Sequence, residues 1–280
     1  MKIVVTGYYG LLSLDLVPIV QEAHEVIPLS IADLDITRKE GVFKTLETLQ
    51  PELVINCAGY SAVDLAESNW QSAFQVNALG VHHLALACQK YEIILCHIST
   101  DYVFDGRTDR PYQPWDQPNP LNVYGLSKRA GDFFVQSLLQ RYYLIRTSSL
   151  YGKQGPNFVR AILGRAEKGE PLEIVCDQVM SPTWTVNLAR GISRLIETGN
   201  FGDYHLTDQT DGGISWAEFG QAILKTRGID LDVLPISWRQ FNRAALRPAY
   251  SVLDTGYLTL ATGYQPPPYQ EALAQFLEDY

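Results

Sequence analysis

Tyr124 and Lys128 stand four residues apart in NVYGLSK, so on a helix they share one face, one turn apart. A free phenol titrates near pH ~10, too high to exchange protons readily at neutral pH. A neighbouring ammonium favours the phenolate and draws that value toward the working range. Upstream, the apolar run Ile93, Ile94, Leu95 and Ile98 reads as a buried strand that breaks into Ser99, Thr100 and Asp101. A tyrosine beside a lysine, close to a strand-end hydroxyl, is a proton-transfer arrangement.

The elements that must carry these residues follow from the chain in order. Lys2 to Thr6 is a β-branched strand, followed by TGYYGLLS and an apolar helical stretch. Gly7 and Gly10 in that context make a dinucleotide loop, one glycine allowing the tight turn and the other the approach of a pyrophosphate to a helix N-terminus. Ser13 takes the place of a third glycine, and Pro18 should shorten or kink the helix. The second strand, His24 to Leu29, ends at Ser30 rather than at a ribose-binding acid; Asp33 and Asp35 come slightly later, and no arginine sits at the strand end. NADH and NADPH therefore stay open alternatives.

A helix over 38–50, a strand over 52–60 ending in small residues, a helix containing Asn77, the helix carrying Lys128 as far as 139 and a strand over 143–152 complete the alternation. It predicts an α/β fold, a doubly wound parallel Rossmann sheet. Beyond residue 152 the pattern loosens into a helix at NFVRAILGRAEKG, a strand at PLEIVCDQ, a helix at SPTWTVNLARGISRLIE, a strand over 204–208 and a helix over 215–228. The expected organisation is an NAD(P)-binding domain over 1–152, with part of 172–200, and a smaller C-terminal α/β substrate lobe over 153–280. The two should be one inseparable unit.

Composition narrows the function. The formal net charge of −9 argues against a nucleic-acid or anionic-membrane partner. Cys57, Cys88, Cys96 and Cys176 are widely spaced, so neither a disulfide framework nor a zinc site is expected. His82 and His83 are adjacent and point to different helix faces, which rules out an i,i+4 metal pair. No resident metal is expected in the site. With no signal-peptide pattern after Met1-Lys2 and no apolar run of spanning length, a cytoplasmic, membrane-free protein is expected.

TGxxG, VINCAGYSAVDLAES, HISTDYVFDG, PLNVYGLSK, the RTS of the last strand, DQ followed by SPT, YHLT and LRPAYS occur here in one order. In these blocks the chain resembles the extended short-chain dehydrogenase/reductases, and among them the dTDP-4-dehydrorhamnose reductases, nearly end to end. The resemblance implies a catalytic triad of Thr100, Tyr124 and Lys128. It implies pyrophosphate contacts from Gly7, Gly10, Leu11 and Leu12, adenosine contacts from Asp35 and Ile36, and cofactor contacts from Ala58 and Gly59. Lys128 would also bond the nicotinamide ribose. Ser61, Val63, Asp101 and Tyr102 would line the sugar site, and Arg247 would clamp a pyrophosphate.

The implied reaction is NADPH- or NADH-dependent reduction of the 4-keto group of dTDP-4-dehydro-L-rhamnose to dTDP-L-rhamnose, with a nucleotide sugar as partner. Dehydratases of this fold carry Thr-Asp-Glu where this chain has Thr100-Asp101-Tyr102, so reduction is favoured over elimination. Departures are Ser149 where tryptophan follows RTS, and Leu11 where glutamine follows the second glycine. Some relatives dimerise through acidic residues and Mg2+, which leaves monomer and homodimer both open here and places no magnesium cluster. Two alternatives remain: a reductase or epimerase of another nucleotide sugar, and a non-catalytic regulatory subunit resembling methionine adenosyltransferase β.

Overall fold

The structure, a computed structural model, describes residues 1–241 and 243–278. Its first half runs β1 (Lys2–Thr6), α1 (Ser13–Gln21), β2 (Glu25–Leu29), α2 (Lys39–Leu49), β3 (Leu53–Asn56), α3 (Val63–Ser68) and α4 (Trp70–Phe74). A π-helical turn (Gln75–Gly80) leads into α5 (Val81–Tyr91), then β4 (Ile94–Thr100), α6 (Val123–Leu138) and β5 (Tyr142–Thr147). There follow β6 (Leu150–Tyr151), α7 (Phe158–Glu167), β7 (Leu172–Val175), β8 (Val179–Met180), β9 (Thr183–Trp184) and α8 (Thr185–Ile196). The chain ends with β10 (Gly202–His205), β11 (Ile214–Ser215), α9 (Trp216–Thr226), β12 (Val233–Ile236), α10 (Gly256–Thr262) and α11 (Tyr269–Glu278).

Six strands form one sheet in the order β10-β5-β4-β3-β1-β2, and every pairing in it is parallel. The near-continuous apolar runs Ile3–Val5 and Leu53–Ile55 are fully buried, as a sheet covered on both faces requires. On one face α1 and α8 pack over Ile3, Val5 and Ile55; on the other, α2 and α5 pack over Val4, Val54 and Leu95. The strand order reverses between β1 and β3, and ligands of such sheets bind outside the strand C-termini at that crevice. A further apolar core joins Tyr151, Trp184, Phe219 and Phe276 from β6, β9, α9 and α11.

Several strand expectations are corrected: the strand over 52–60 is only Leu53–Asn56, and the one at PLEIVCDQ only Leu172–Val175. The segment 143–152 is not one strand: β5 stops at Thr147, Ser149 turns the chain at φ +50°, and β6 pairs with β9 instead. The Ser148 hydroxyl donates to Asp101 Oδ2 at 2.8 Å, which draws the break toward the end of β4. The strand expected at 204–208 is Gly202–His205, and it closes the large sheet against β5. Beyond it the Asp208 carboxylate accepts the Trp184 amide and the Asn187 side chain instead of joining the sheet. Pro18 lies inside α1, which is only nine residues long.

Candidate active site

Helix α6 begins where Asn122 can cap it, its Oδ1 accepting the Gly125 amide at 2.7 Å. Gly125 is needed by close approach: a Cβ there would lie 2.2 Å from the Tyr102 carbonyl oxygen. The helix start is thereby pressed against the turn after β4, and Tyr124 arrives beside Thr100. The Tyr124 phenol and the Thr100 hydroxyl face the same cleft, and the Tyr124 ring meets Tyr102 edge-on at 5.9 Å. One turn on, Lys128 is only 5% exposed, and its Nζ donates to the Ile98 carbonyl at 2.6 Å.

A cleft of about 400 Å³ opens here, at the sheet's C-terminal edge. It brings together Gly10, Leu11, Leu12, Ala58, Gly59, Ser61, Thr100, Asp101, Tyr124 and Lys128, all expected in the site. Gly7 sits behind it at φ +71°, with its ideal Cβ position 2.5 Å from the Ala58 amide nitrogen, so only glycine fits that turn. Ser13 also lines it, and its hydroxyl donates to the Gly7 and Gly10 carbonyls at 3.0 and 3.1 Å. The serine that replaces the third glycine thus stitches the loop rather than disturbing it. Sequence reasoning missed the contribution of Asn77. It accepts the Tyr60 amide and donates to the Tyr60 carbonyl and to Ser127, tying the loop after β3 to α6.

The other expected residues lie elsewhere. Asp35 accepts the amide and hydroxyl of Thr37, and Ile36 is buried beside Gly80, so neither lines this cleft. Val63 begins α3 outside it. Tyr102 and Arg247 line a second cleft of about 480 Å³, together with Phe158, Trp216, Trp238 and Arg239. Arg247 forks Asp64 through Nη1 at 3.0 Å and Nη2 at 2.8 Å, and that pairing holds the Asp64 carboxyl down to about 2. Among the described residues no group of His, Cys, Asp and Glu could hold a metal ion, and no helix is long and apolar enough to cross a membrane.

Burial dominates the electrostatics. It pushes the Tyr124 phenol up to about 12 against the help of the Thr100 hydroxyl, so the lowering expected from Lys128 does not prevail. It also pulls the Lys128 ammonium down to about 8, with Asp132 working in the opposite sense. Burial raises Asp101 to about 6 although Ser251, Ser148 and Thr100 bond it. The arrangement is a protonated phenol, a hydroxyl and a buried cation facing one cleft: a proton donor beside a place for a carbonyl.

The family model described as the RmlD substrate binding domain matches residues 1–280. The spore coat polysaccharide biosynthesis protein SpsK of Bacillus subtilis is 35% identical, over 99% of this chain and 97% of that protein. A dTDP-4-dehydrorhamnose reductase of Aggregatibacter actinomycetemcomitans is 34% identical, over 97% of each. The crystal structure of a dTDP-4-dehydrorhamnose reductase from Bacillus anthracis in complex with NADP superposes with a TM-score of 0.94 at 36% identity, covering 100% of this chain and 99% of that one. With the sheet order and cleft already described, these likenesses make the chain a member of the RmlD substrate binding domain family.

Proposed function

We propose that this protein reduces the 4-keto group of dTDP-4-dehydro-L-rhamnose to give dTDP-L-rhamnose, using NADPH or NADH. The observation that carries the reading is the convergence of Thr100, Tyr124 and Lys128 on a cleft at the β1/β3 crevice. The residues present fit a dinucleotide. No side chain caps the N-terminus of α1, and Gly10 to Ser13 line the cleft there, where diphosphate oxygens find amide donors and the positive end of the helix dipole. Small side chains at Ala58 and Gly59 leave room for the nicotinamide end. The cofactor, when bound, supplies the hydride.

The chain's own residues do the rest. Tyr124, protonated across the neutral range, donates its proton to the oxygen that gains charge as the carbonyl is reduced. An alkoxide is more basic than a phenolate, so a raised phenol suits the reductive direction. Thr100 orients that oxygen, exchanging its present donation to Asp101 Oδ1 at 3.0 Å for one to the substrate. Lys128 offsets the charge left on Tyr124 and holds the nicotinamide ribose. The second cleft takes the nucleotide diphosphate end: Phe158, Trp216 and Trp238 offer faces for a base, and Arg165, Arg239 and Arg247 offer guanidinium groups for phosphates. Ser61, Asp101 and Tyr102 line the sugar's path, and residues 153–280 act mainly as the substrate lobe.

Turnover tests the reading directly. Reduced-cofactor absorbance should fall with either NADPH or NADH when dTDP-4-dehydro-L-rhamnose is generated in place; absence of oxidation with both, in protein that binds cofactor, refutes the substrate. The loop has its own test. Gly10→Val places a Cβ 3.0 Å from the Gly7 carbonyl and fills space on the cleft wall. It should raise the cofactor Kd at least about tenfold, the cost of one lost diphosphate contact. An unchanged Kd by fluorescence titration would remove the glycine loop from the cofactor site.

A further inference from the structure

Lys128 is a buried ammonium whose Nζ donates to a neutral carbonyl, that of Ile98. A cation so placed loses its hydration and keeps its proton only if an anion lies within reach. Four residues on, on the same face of α6, stands Asp132, fully buried. Its Oδ2 accepts from Arg146 Nε of β5 at 3.3 Å, and Arg146 Nη2 lies 3.5 Å from Asp203 of β10. Arg146 thus sits between two carboxylates, the partly buried Asp203 and the buried Asp132, the latter one helical turn from Lys128.

A fifth member has its protonation set by hydrogen bonding. The Asn56 Oδ1 accepts from the Thr6 hydroxyl at 2.6 Å and the Ala58 amide at 3.2 Å, so its Nδ2 must be the atom facing His97 Nδ1 at 3.0 Å. That makes Nδ1 an acceptor. Burial, with Lys128 and Arg146 nearby, keeps the ring neutral. The ring proton is therefore on Nε2, which points at Asp132 Oδ1 from 3.9 Å, beyond hydrogen-bond range. Both atoms are buried and otherwise unpartnered. Asp132 Oδ1 is left without a direct hydrogen bond.

We infer that Asp132 is a positioning residue for Lys128, its carboxylate holding the lysine as an ammonium on the Ile98 carbonyl while Arg146 limits how strongly it does so. This deepens the proposed reductase reading, because an ammonium at this place is what Tyr124 and the ribose need. The other groups around the lysine are accounted for. Tyr124 on α6, Asp101 after β4, and Cys57 after β3, whose thiol burial pushes up to about 12, complete the near set. Glu67 of α3 accepts the Val123 amide at the helix start, the His82 ring of α5 lies tilted against Phe134 at 4.4 Å, and the π turn contributes the neutral Asn77.

The two charged neighbours make opposite predictions, which a merely structural role would not. In protein carrying labelled lysine, the Lys128 resonance, identified by its loss in Lys128→Met, gives the titration midpoint without any turnover. Asp132→Asn should move that midpoint down by about one pH unit or more, and Arg146→Gln should move it up. Asp132→Glu should restore the wild-type value. If turnover is found, its alkaline limb should move with the resonance.

Midpoints that stay put in the variants overturn the inference, even where activity has fallen. If one variant does not fold, the other decides. In the wild-type protein a Lys128 midpoint below pH 7 also overturns it, since the ammonium would then be lost under working conditions. Shifted midpoints without turnover of any nucleotide sugar would uphold Asp132 and refute the reductase reading, so the two failures are distinguishable.

Discussion

Tyr124→Phe should lower turnover by about a hundred- to ten-thousandfold, the range of a single positioned acid, while the cofactor Kd changes less than about threefold. The asymmetry follows from geometry. The substitution deletes one hydroxyl beside Thr100 and keeps the ring packed edge-on against Tyr102. Nothing in the loop Gly7 to Ser13 is touched. Because burial keeps the Tyr124 phenol protonated up to about 12, the tyrosine is ready to donate at every pH where the protein would be assayed. Steady-state rates beside a fluorescence titration of cofactor check this. Undiminished turnover would remove Tyr124 from the mechanism, and a large loss of affinity would make it a binding residue instead.

Lys128→Met should cost at least about a hundredfold in turnover, because it removes the cation that offsets charge on Tyr124. It should also weaken cofactor binding by about tenfold through the lost ribose contact. Stability should move the other way. Burial holds the lysine at about 8 in the folded chain, against 10.5 for the ordinary side chain. Between those values the unfolded chain binds the extra proton, so this lysine makes the wild-type protein gain stability as pH rises from 8 to 10.5, and penalises it below 8.

Methionine, one atom shorter, keeps most of the apolar stem without the charge and removes that penalty. The gain is at most about 3 kcal/mol, offset by about 1–2 kcal/mol for the unbonded Ile98 carbonyl. Melting temperatures across pH 6 to 10 should show the variant at or above wild type at pH 7, with the advantage fading as pH rises. A variant less stable at pH 7 than at pH 10, relative to wild type, would show that the lysine is not buried as a charge. In wild type the alkaline limb of turnover should fall near pH 8, set by Lys128 rather than by Tyr124.

Local rules made part of the site legible. The spacing of Tyr124 and Lys128 is a property of one helix, and Gly7 and Gly10 are properties of one strand-to-helix turn. Thr100 ends a run whose apolar character marks it as a central strand. What stayed hidden depends on residues far apart in the chain. Arg247 meets Asp64 across 183 positions, and Tyr102 shares a cleft with Trp216 and Trp238. Nothing in RTSSLYG announced the turn at Ser149, because serine at φ +50° is held there by its surroundings rather than by preference. The raised phenol of Tyr124 stayed hidden for a similar reason: spacing gives the lysine's presence but not the depth of burial, and burial is the larger influence.

The position of β10 at the far edge of the large sheet has a consequence for how the chain reaches its fold. Strand β5, YYLIRT, is rich in residues that favour strands, and its outer edge is covered only when Gly202–His205 pairs with it. Everything from Ser148 to Phe201 must be made, and part of the second apolar core begun, before that partner exists. During synthesis or refolding β5 is an open edge with unpaired amides, and pairing with the same strand of another molecule competes with closure. Yield on refolding should therefore fall with protein concentration more steeply than the stability of the finished sheet would suggest, and a chain cut short before residue 202 would keep that edge permanently.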